Sequence, residues 1–174
     1  REKNSLTEIS NEVDISNLNN NLLLRGKFIL RGLLETGSKK CIIYLKNQQE
    51  ATDMQNILIN LNQYFYVDLY TDIIIADTKS SERAKILEKF SNYDGFSIIC
   101  SVQILNQCID IPKCDSVFFN NIIENKSLII QRLCRANRID KSNPNKIAKV
   151  FLWCDEYNDI SIFISQLKEF DESF

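Results

Sequence analysis

Gln131, Arg135 and Arg138 stand at i, i+4 and i+7. On a helix, that spacing sets one amide and two guanidinium groups on a single face, with Ile129, Ile130 and Leu133 turned elsewhere. Two stacked arginines repel unless carboxylates pair them or an anion sits between them. A polyphosphate is such an anion, and guanidinium groups neutralise charge that develops on a transferring phosphoryl group. The plainer alternative is a solvated helix with two snorkelling arginines, and spacing alone leaves it open. A second pattern is the run from Ser101 to Pro112, in which Asp110 stands just before a Pro stop. It suits a ligand-contact loop, although Asp near Pro is also ordinary turn chemistry.

What the chain lacks narrows the chemistry further. It contains no His, which excludes His-Cys zinc sites, Ser-His-Asp triads and every other His-dependent mechanism. Thr36-Gly37-Ser38-Lys39-Lys40 has a Gly and a Lys without the spacing of a phosphate loop. It also precedes an apolar strand, whereas a phosphate loop follows one so that helix N-terminal amides face the phosphates. Val150 to Glu156 resembles a strand ending in a metal-binding Asp-Glu pair, but with no phosphate loop upstream, Asp155 and Glu156 read as turn residues. The six cysteines (41, 100, 108, 114, 134 and 154) form no C-x-x-C pair, and four lie in or beside apolar runs. They read as reduced thiols in an intracellular compartment, cytoplasm or nucleus.

Charge is uneven along a chain whose net charge is only -2. Residues 131–149 hold Arg132, Arg135, Arg138, Lys141, Lys146 and Lys149 against Asp140, a local excess of five positive charges. Residues 155–174 carry an equal negative excess. Near neutrality excludes a histone-like or tail-type nucleic-acid binder but not a local basic face. No apolar run reaches 18 residues, so no membrane helix is expected, and Arg1-Glu2-Lys3 does not open a signal peptide.

The elements that must position these groups follow from periodicity. Residues 16–35 read as an amphipathic helix broken by Gly37, and Cys41 to Leu45 as a buried strand. Gln48 to Leu61 reads as a helix, then Tyr64 to Ile75 as a strand bent at Thr71-Asp72. Ser80 or Ser81 is expected to cap the next helix. Strands at Phe96–Cys100, Ser116–Phe119 and Lys149–Cys154 alternate with helices at Ser127–Asn137 and Ile160–Phe170. Continuous apolar strands alternating with helices predict a mostly parallel sheet covered on both faces. In such sheets ligands gather beyond the carboxyl ends of the strands, here after Leu45, Cys100, Phe119 and Cys154.

Taken together, these segments resemble the second, carboxyl-side RecA-like domain of superfamily 2 helicases, most closely the excision-repair and type III restriction branch. The resemblance runs from about Lys40 to Asp155 in the family's order. Lys40 to Gln48 is similar to motif IV. Ser80 to Arg83, with Leu87 and Phe90, is similar to the helix before motif V. Ile98 to Pro112 is similar to motif V, and Gln131 to Arg138 to motif VI, Q-x-x-G-R-x-x-R. It implies a three-layer α/β RecA-like domain over residues 1–174, with a leading helical segment (1–38), a motif-bearing core (39–155) and a closing helix (156–174). It also implies an ATP-dependent helicase or translocase in which ATP and Mg2+ are held mainly on an N-terminal RecA-like domain absent from these 174 residues. A chain beginning at Arg1 fits a piece of a longer one, monomeric and inactive alone.

The resemblance assigns roles residue by residue. Arg135 and Arg138 match the arginines that reach ATP on the other domain, with Arg138 as the finger. Gln131 and Asp110 match residues lining the same cleft. Lys46, Asn47 and Gln48, and Ser101, Val102 and Gln103, match segments that hold the backbone of single-stranded DNA or RNA, with a tilt towards DNA. Three positions depart from the pattern: Gln107 stands for the usual Glu, while Cys108 and Cys134 stand where the family has Gly. A positive φ at either cysteine would be costly. The departures leave a rival reading, a degenerate non-catalytic RecA-like module that binds protein or nucleic acid. A free-standing Rossmann-type nucleotide-binding domain is excluded by the missing Gly-rich turn.

Overall fold

The computed structural model describes residues 20–102, 111–121, 125–154 and 157–168. Five strands form one sheet: β1 (Lys40–Leu45), β2 (Leu69–Ile74), β3 (Phe96–Val102), β4 (Ser116–Phe119) and β5 (Lys149–Leu152). All neighbours are parallel, in the order β2-β3-β1-β4-β5. The helices are α1 (Asn20–Thr36), α2 (Gln48–Phe65), α3 (Ser80–Asn92), α4 (Lys126–Ala136) and α5 (Tyr157–Lys168).

Side-chain alternation builds a core on each side of the sheet. Cys41, Ile43 and Leu45 of β1, with Ile98, Cys100 and Phe118, pack against Leu30 and Leu33 of α1 and Met54, Ile57 and Leu61 of α2. Ile42 and Tyr44, with Ile99, Val117 and Phe119, face Phe90 of α3, Ile129 of α4 and Phe163 of α5. The expected three-layer α/β architecture is therefore present. Gly26 lets α1 lie close on α2, because a Cβ there would come within 2.6 Å of the Ile57 side chain. Gly37, at φ +69°, ends α1 where L-residues are disfavoured.

Three local expectations change. Tyr64 and Phe65 finish α2, because Phe65 continues the apolar phase of Ile57, Leu58 and Leu61 onto the core. The strand therefore starts at Leu69 and runs unbent, paired with β3 from Leu69↔Phe96 to Ile74↔Ser101. Neither serine caps α3. The N-cap is Lys79, without a side-chain bond, and the Thr78 hydroxyl is spent on the turn before it, where it accepts from the Ile75 N–H at 2.9 Å. The last strand ends at Leu152, and α5 begins at Tyr157 rather than Ile160.

At the amino ends of the strands, the Asp115 carboxylate accepts from the main-chain N–H groups of Lys39 and Lys40, fastening β1 to β4. The Lys40 ammonium donates to the carbonyls of Tyr93 and Gly95 and to the Ser97 hydroxyl. Cys41, Cys100 and Cys114 are buried free thiols, and burial pushes Cys100 and Cys114 up to about 12. Thiols so protonated pack as inert small hydrophobes. Among the described residues no helix is long and apolar enough to cross a membrane.

Candidate functional site

The helix expected to carry three polar groups on one face is shorter than that face requires. Asn125 caps α4 by accepting from the Leu128 N–H, and the helix ends at Ala136, where the Asn137 N–H bonds to the Leu133 carbonyl. Gln131 and Arg135 are helical, but Arg138 is not: it lies half-buried in the turn that follows. Within the helix, Gln131 is exposed and Arg135 only 5% exposed. The i, i+7 extrapolation fails because it assumed two helical turns that the chain does not make.

The inward face of α4 is Ile129, Arg132, Arg135 and Ala136. Arg132, counted above only as part of the basic run, is 7% exposed, and its guanidinium carbon sits 4.4 Å from the centre of the Tyr44 ring. Tyr44 in turn stacks on Phe119, centroids 5.8 Å apart and planes at 29°. Burial draws the Arg132 pKa down, and the Tyr44 side chain partly offsets that. Burial also drives the Tyr44 phenol far above its ordinary value, with Arg132 and Arg135 opposing the shift. Among the described residues, the Tyr44 hydroxyl, the Arg132 Nε and the Ser101 hydroxyl are buried with no hydrogen-bond partner. Tyr44 and Ser101 are register partners, so all three lie on one side of the sheet near the carboxyl ends of β1 and β3. The phase of Ile129 and Ala136 would have signalled an inward Arg132; attention to the outward amide obscured it.

The segment after β1 is exposed: Lys46 and Asn47 form the turn, and Gln48 opens α2. Asn47 caps α2 by accepting from the Glu50 N–H at 2.9 Å, and Glu50 Oε2 accepts from the Lys46 N–H at 2.7 Å. The other carboxylate oxygen of Glu50 accepts from the Asn120 Nδ2 at 2.8 Å. Asn120 follows β4 directly and is fully buried. Its main-chain carbonyl accepts from Arg25 of α1, whose guanidinium also donates to Asn121 Oδ1 at 3.0 Å and lies 5.5 Å from the Trp153 ring. Neither Arg25 nor Asn120 was marked by spacing, because the network joins residues about 70 and 95 positions apart.

Ser101 and Val102 close β3 opposite Tyr44 and Leu45, which brings that strand end beside the Lys46 turn; Ser101 is buried and Val102 half-buried. Asp110 and Gln103, with Gln107 and Cys108, lie outside the described residues, as do Asp155 and Glu156. Cys134 is exposed on regular helix, and Tyr66 is the only non-glycine of positive φ among the described residues. Cysteine in place of glycine there imposes no backbone strain.

The arrangement suits an anion better than a metal. Among the described residues no three Cys, Asp or Glu side chains gather as a metal site, while α4 and the turn after it bring Arg132, Arg135 and Arg138 to one region. The chain fits ATP as a source of positive charge towards the phosphates, and Mg2+ would need ligands from elsewhere.

A family model described as the helicase conserved C-terminal domain matches residues 25–140. The chain is 26% identical over 108 residues to the Saccharomyces cerevisiae protein named "Putative ATP-dependent helicase IRC3", covering 57% of this chain and 16% of that protein. It thus spans about a sixth of that relative's length. Among solved structures, the ATP-dependent type ISP restriction-modification enzyme LlaBIII, bound to DNA, superposes with a TM-score of 0.74 at 16% identity, covering 95% of this chain and 13% of that one. S. cerevisiae Dbp5 bound to RNA and ADP BeF3 superposes with a TM-score of 0.63 at 19% identity, covering 88% and 38%.

Proposed function

As this chain belongs to the helicase conserved C-terminal domain family and has the RecA-like fold of superfamily 2 helicases, we propose that it is the carboxyl-side motor half of an ATP-dependent nucleic-acid helicase or translocase. The single observation that carries this reading is the placement of the arginines around the end of α4. Arg132 and Arg135 are built into the domain, while Arg138 lies in the turn beyond the helix, beside the 84% exposed Ile139. A finger that must reach phosphate on another domain needs that position, outside the core yet held by a fixed helix end.

In this proposal ATP and Mg2+ are held on an amino-side RecA-like half, the metal neutralising the phosphate oxygens there. Arg138 offers its guanidinium to the γ-phosphate as charge builds on transfer, and Arg135 adds positive potential from inside the domain. Gln131 and Asp110 line the same cleft. Across the domain, the Lys46-Asn47-Gln48 turn and the Ser101-Val102-Gln103 segment hold the sugar-phosphate backbone of a single strand. Contacts of this kind position without reading sequence, which suits a near-neutral chain. Closure on ATP and opening after hydrolysis move the strand contact relative to the other half. RNA and DNA both fit this surface.

The deciding experiment is ATPase turnover of the full-length protein, with and without single-stranded DNA or RNA, for wild type and Arg138→Ala. Removing a finger of this type lowers kcat by about 10³ to 10⁵. The variant should remain folded, because the residue replaced is half-buried in the turn after α4 and outside both apolar clusters; thermal unfolding is the control. Wild-type turnover in Arg138→Ala would refute the assignment.

A further inference from the structure

We propose that the outer edge of β5, with the lysine-lined cleft at its amino end, docks an extended acidic segment of a partner protein. β5 is the last strand of the sheet and pairs on one side only, with β4. The N–H groups of Lys149 and Trp153 donate to the carbonyls of Asp115 and Phe119, at 2.9 and 3.1 Å. Successive residues of a strand turn their main-chain groups to alternate sides, so those of Val150 and Leu152 point outward. Among the described residues nothing bonds to them. The Val150 side chain is 46% exposed on the same edge. Proteins usually blunt or cover such an edge; here an open valine follows Lys149, the only charged residue of the strand.

The cleft where β5 begins adds the charge. It measures 260 Å³ and is lined by Ser38, Asp115, Asn143, Asn145, Lys146 and Lys149, among others. Asp115 has both oxygens committed, to the Lys39 and Lys40 N–H groups and the Ser116 hydroxyl. The Lys146 ammonium donates to the carbonyls of Pro112 and Cys114, at 2.6 and 2.8 Å, which fastens its segment to the sheet. Lys149 and the exposed Asn143 and Asn145 remain to meet a ligand. Among the described residues neither lysine pairs with a carboxylate.

The chemistry selects among anions. Nucleic-acid phosphate would answer Lys149 but make no use of the outward main-chain groups, of Val150, or of the 70% exposed Ile147 beside the cleft. A second copy of this chain would offer a second basic cleft where an acid is needed. A peptide with carboxylates at one end and apolar side chains along it uses every feature: charge on Lys149, main chain on Val150 and Leu152, side chains on Val150 and Ile147. The cleft lies at the amino ends of the strands and the Lys46 turn at their carboxyl ends, so docking leaves that turn open.

The test uses the full-length protein and a fluorescein-labelled peptide of glutamates followed by alternating valine and threonine. Fluorescence anisotropy reads affinity, and amide exchange reads the edge residue by residue. In the free protein the Val150 and Leu152 amides are expected to exchange fast and those of Lys149 and Phe151 slowly. Bound peptide should slow Val150 and Leu152, and the same peptide with alternate amides N-methylated should not. Lys149→Glu is expected to weaken binding about tenfold, the scale of one charge-assisted hydrogen bond. No binding, binding that leaves Val150 and Leu152 unprotected, or an affinity indifferent to Lys149→Glu would overturn the proposal. So would slow exchange at both amides before peptide is added: the edge is then paired within the chain or, if dilution restores fast exchange, between copies. Displacement of the peptide by oligo-dT at equal charge would assign the cleft to phosphate instead. Should Lys149→Glu not fold, Asn145→Asp, a change on exposed chain, is read by the same criteria. None of these readouts uses ATPase, so their failure and that of the motor reading are distinguishable.

Discussion

Replacing Tyr44 by Phe should make the protein more stable, the reverse of the usual result for a buried residue. Tyr44 is 3% exposed, and its ring does two jobs, stacking on Phe119 and receiving the Arg132 guanidinium. Phe keeps both, because neither contact uses the hydroxyl. That hydroxyl is buried with no hydrogen-bond partner among the described residues. A buried polar group left unsatisfied costs about 1 to 3 kcal/mol, and the small void left by one oxygen returns part of that. The expected gain is about 1 kcal/mol, or about 3 °C in Tm for a domain of this size. Urea unfolding should show a higher midpoint with unchanged slope, since the surface exposed on unfolding hardly differs. The hydroxyl cannot recover its cost by ionising, because burial holds the phenol far above its ordinary range. A loss of 1 kcal/mol or more would refute the reasoning and show that the Tyr44 oxygen is bonded in solution, with Ser101, its register partner, the first place to look.

Two further outcomes follow from charge and burial. Stability should fall as pH rises above about 9. The buried thiols of Cys100 and Cys114 stay protonated to about 12 in the folded state and Cys41 is raised in the same sense, whereas the unfolded chain releases those protons near the ordinary thiol value. Folded pKa values above the unfolded ones mean stability fully present below about 9 and lost above it, by about 1.4 kcal/mol per thiol per pH unit. Lys27, Lys40 and Lys146, lowered by burial, act in the opposite sense, but the Tyr44 and Tyr70 phenols, raised by burial, add to the three thiols. Urea midpoints at pH 8 and pH 10 under reducing conditions check this, and a midpoint that rises would contradict it. Lys46→Ala should weaken single-strand binding equally for all sequences and make the dependence of log Kd on log salt shallower by about 0.7. A change in sequence preference would mean that the turn reads bases rather than phosphates.

Much of the fold was legible because its strands are short, continuous and apolar. Cys41 to Leu45 allows no other reading once Gly37 and the polar turn at Lys46 bound it, and its burial on both faces demands a central parallel position. Errors arose where local chemistry was ambiguous. Tyr64 and Phe65 favour strands by type, yet the helical phase of the preceding leucines and isoleucines places Phe65 against the core. Ser80 and Ser81 are good caps by type, but after the turn closed by Thr78 the helix starts at Ser80, one residue too early for Ser80 to cap it and two for Ser81. The site was legible only as a set of residue types. Spacing singled out Gln131, Arg135 and Arg138, but could not reveal that the helix stops at Ala136, since nothing between Ala136 and Arg138 is a strong breaker.

That early stop changes what the two arginines can do. Had α4 continued, Arg138 would have sat two turns above Gln131 on a rigid face, with a direction fixed by the helix alone. Instead, the inward residues Ile129, Arg132 and Ala136 hold the helix against the sheet, and Arg138 follows in a turn whose course depends on where that helix ends. Arg132 is the costly part of this anchor: it is a desolvated cation, and its described support is an aromatic face rather than a carboxylate. A methionine of similar length would pack there without the desolvation penalty, as replacements of buried charges often do. What an arginine adds is positive potential beside Arg135, on the side from which phosphate would approach in the proposed motor. Stability and charge therefore pull in opposite directions at this one residue, and the presence of arginine is the outcome expected when the charge serves the site.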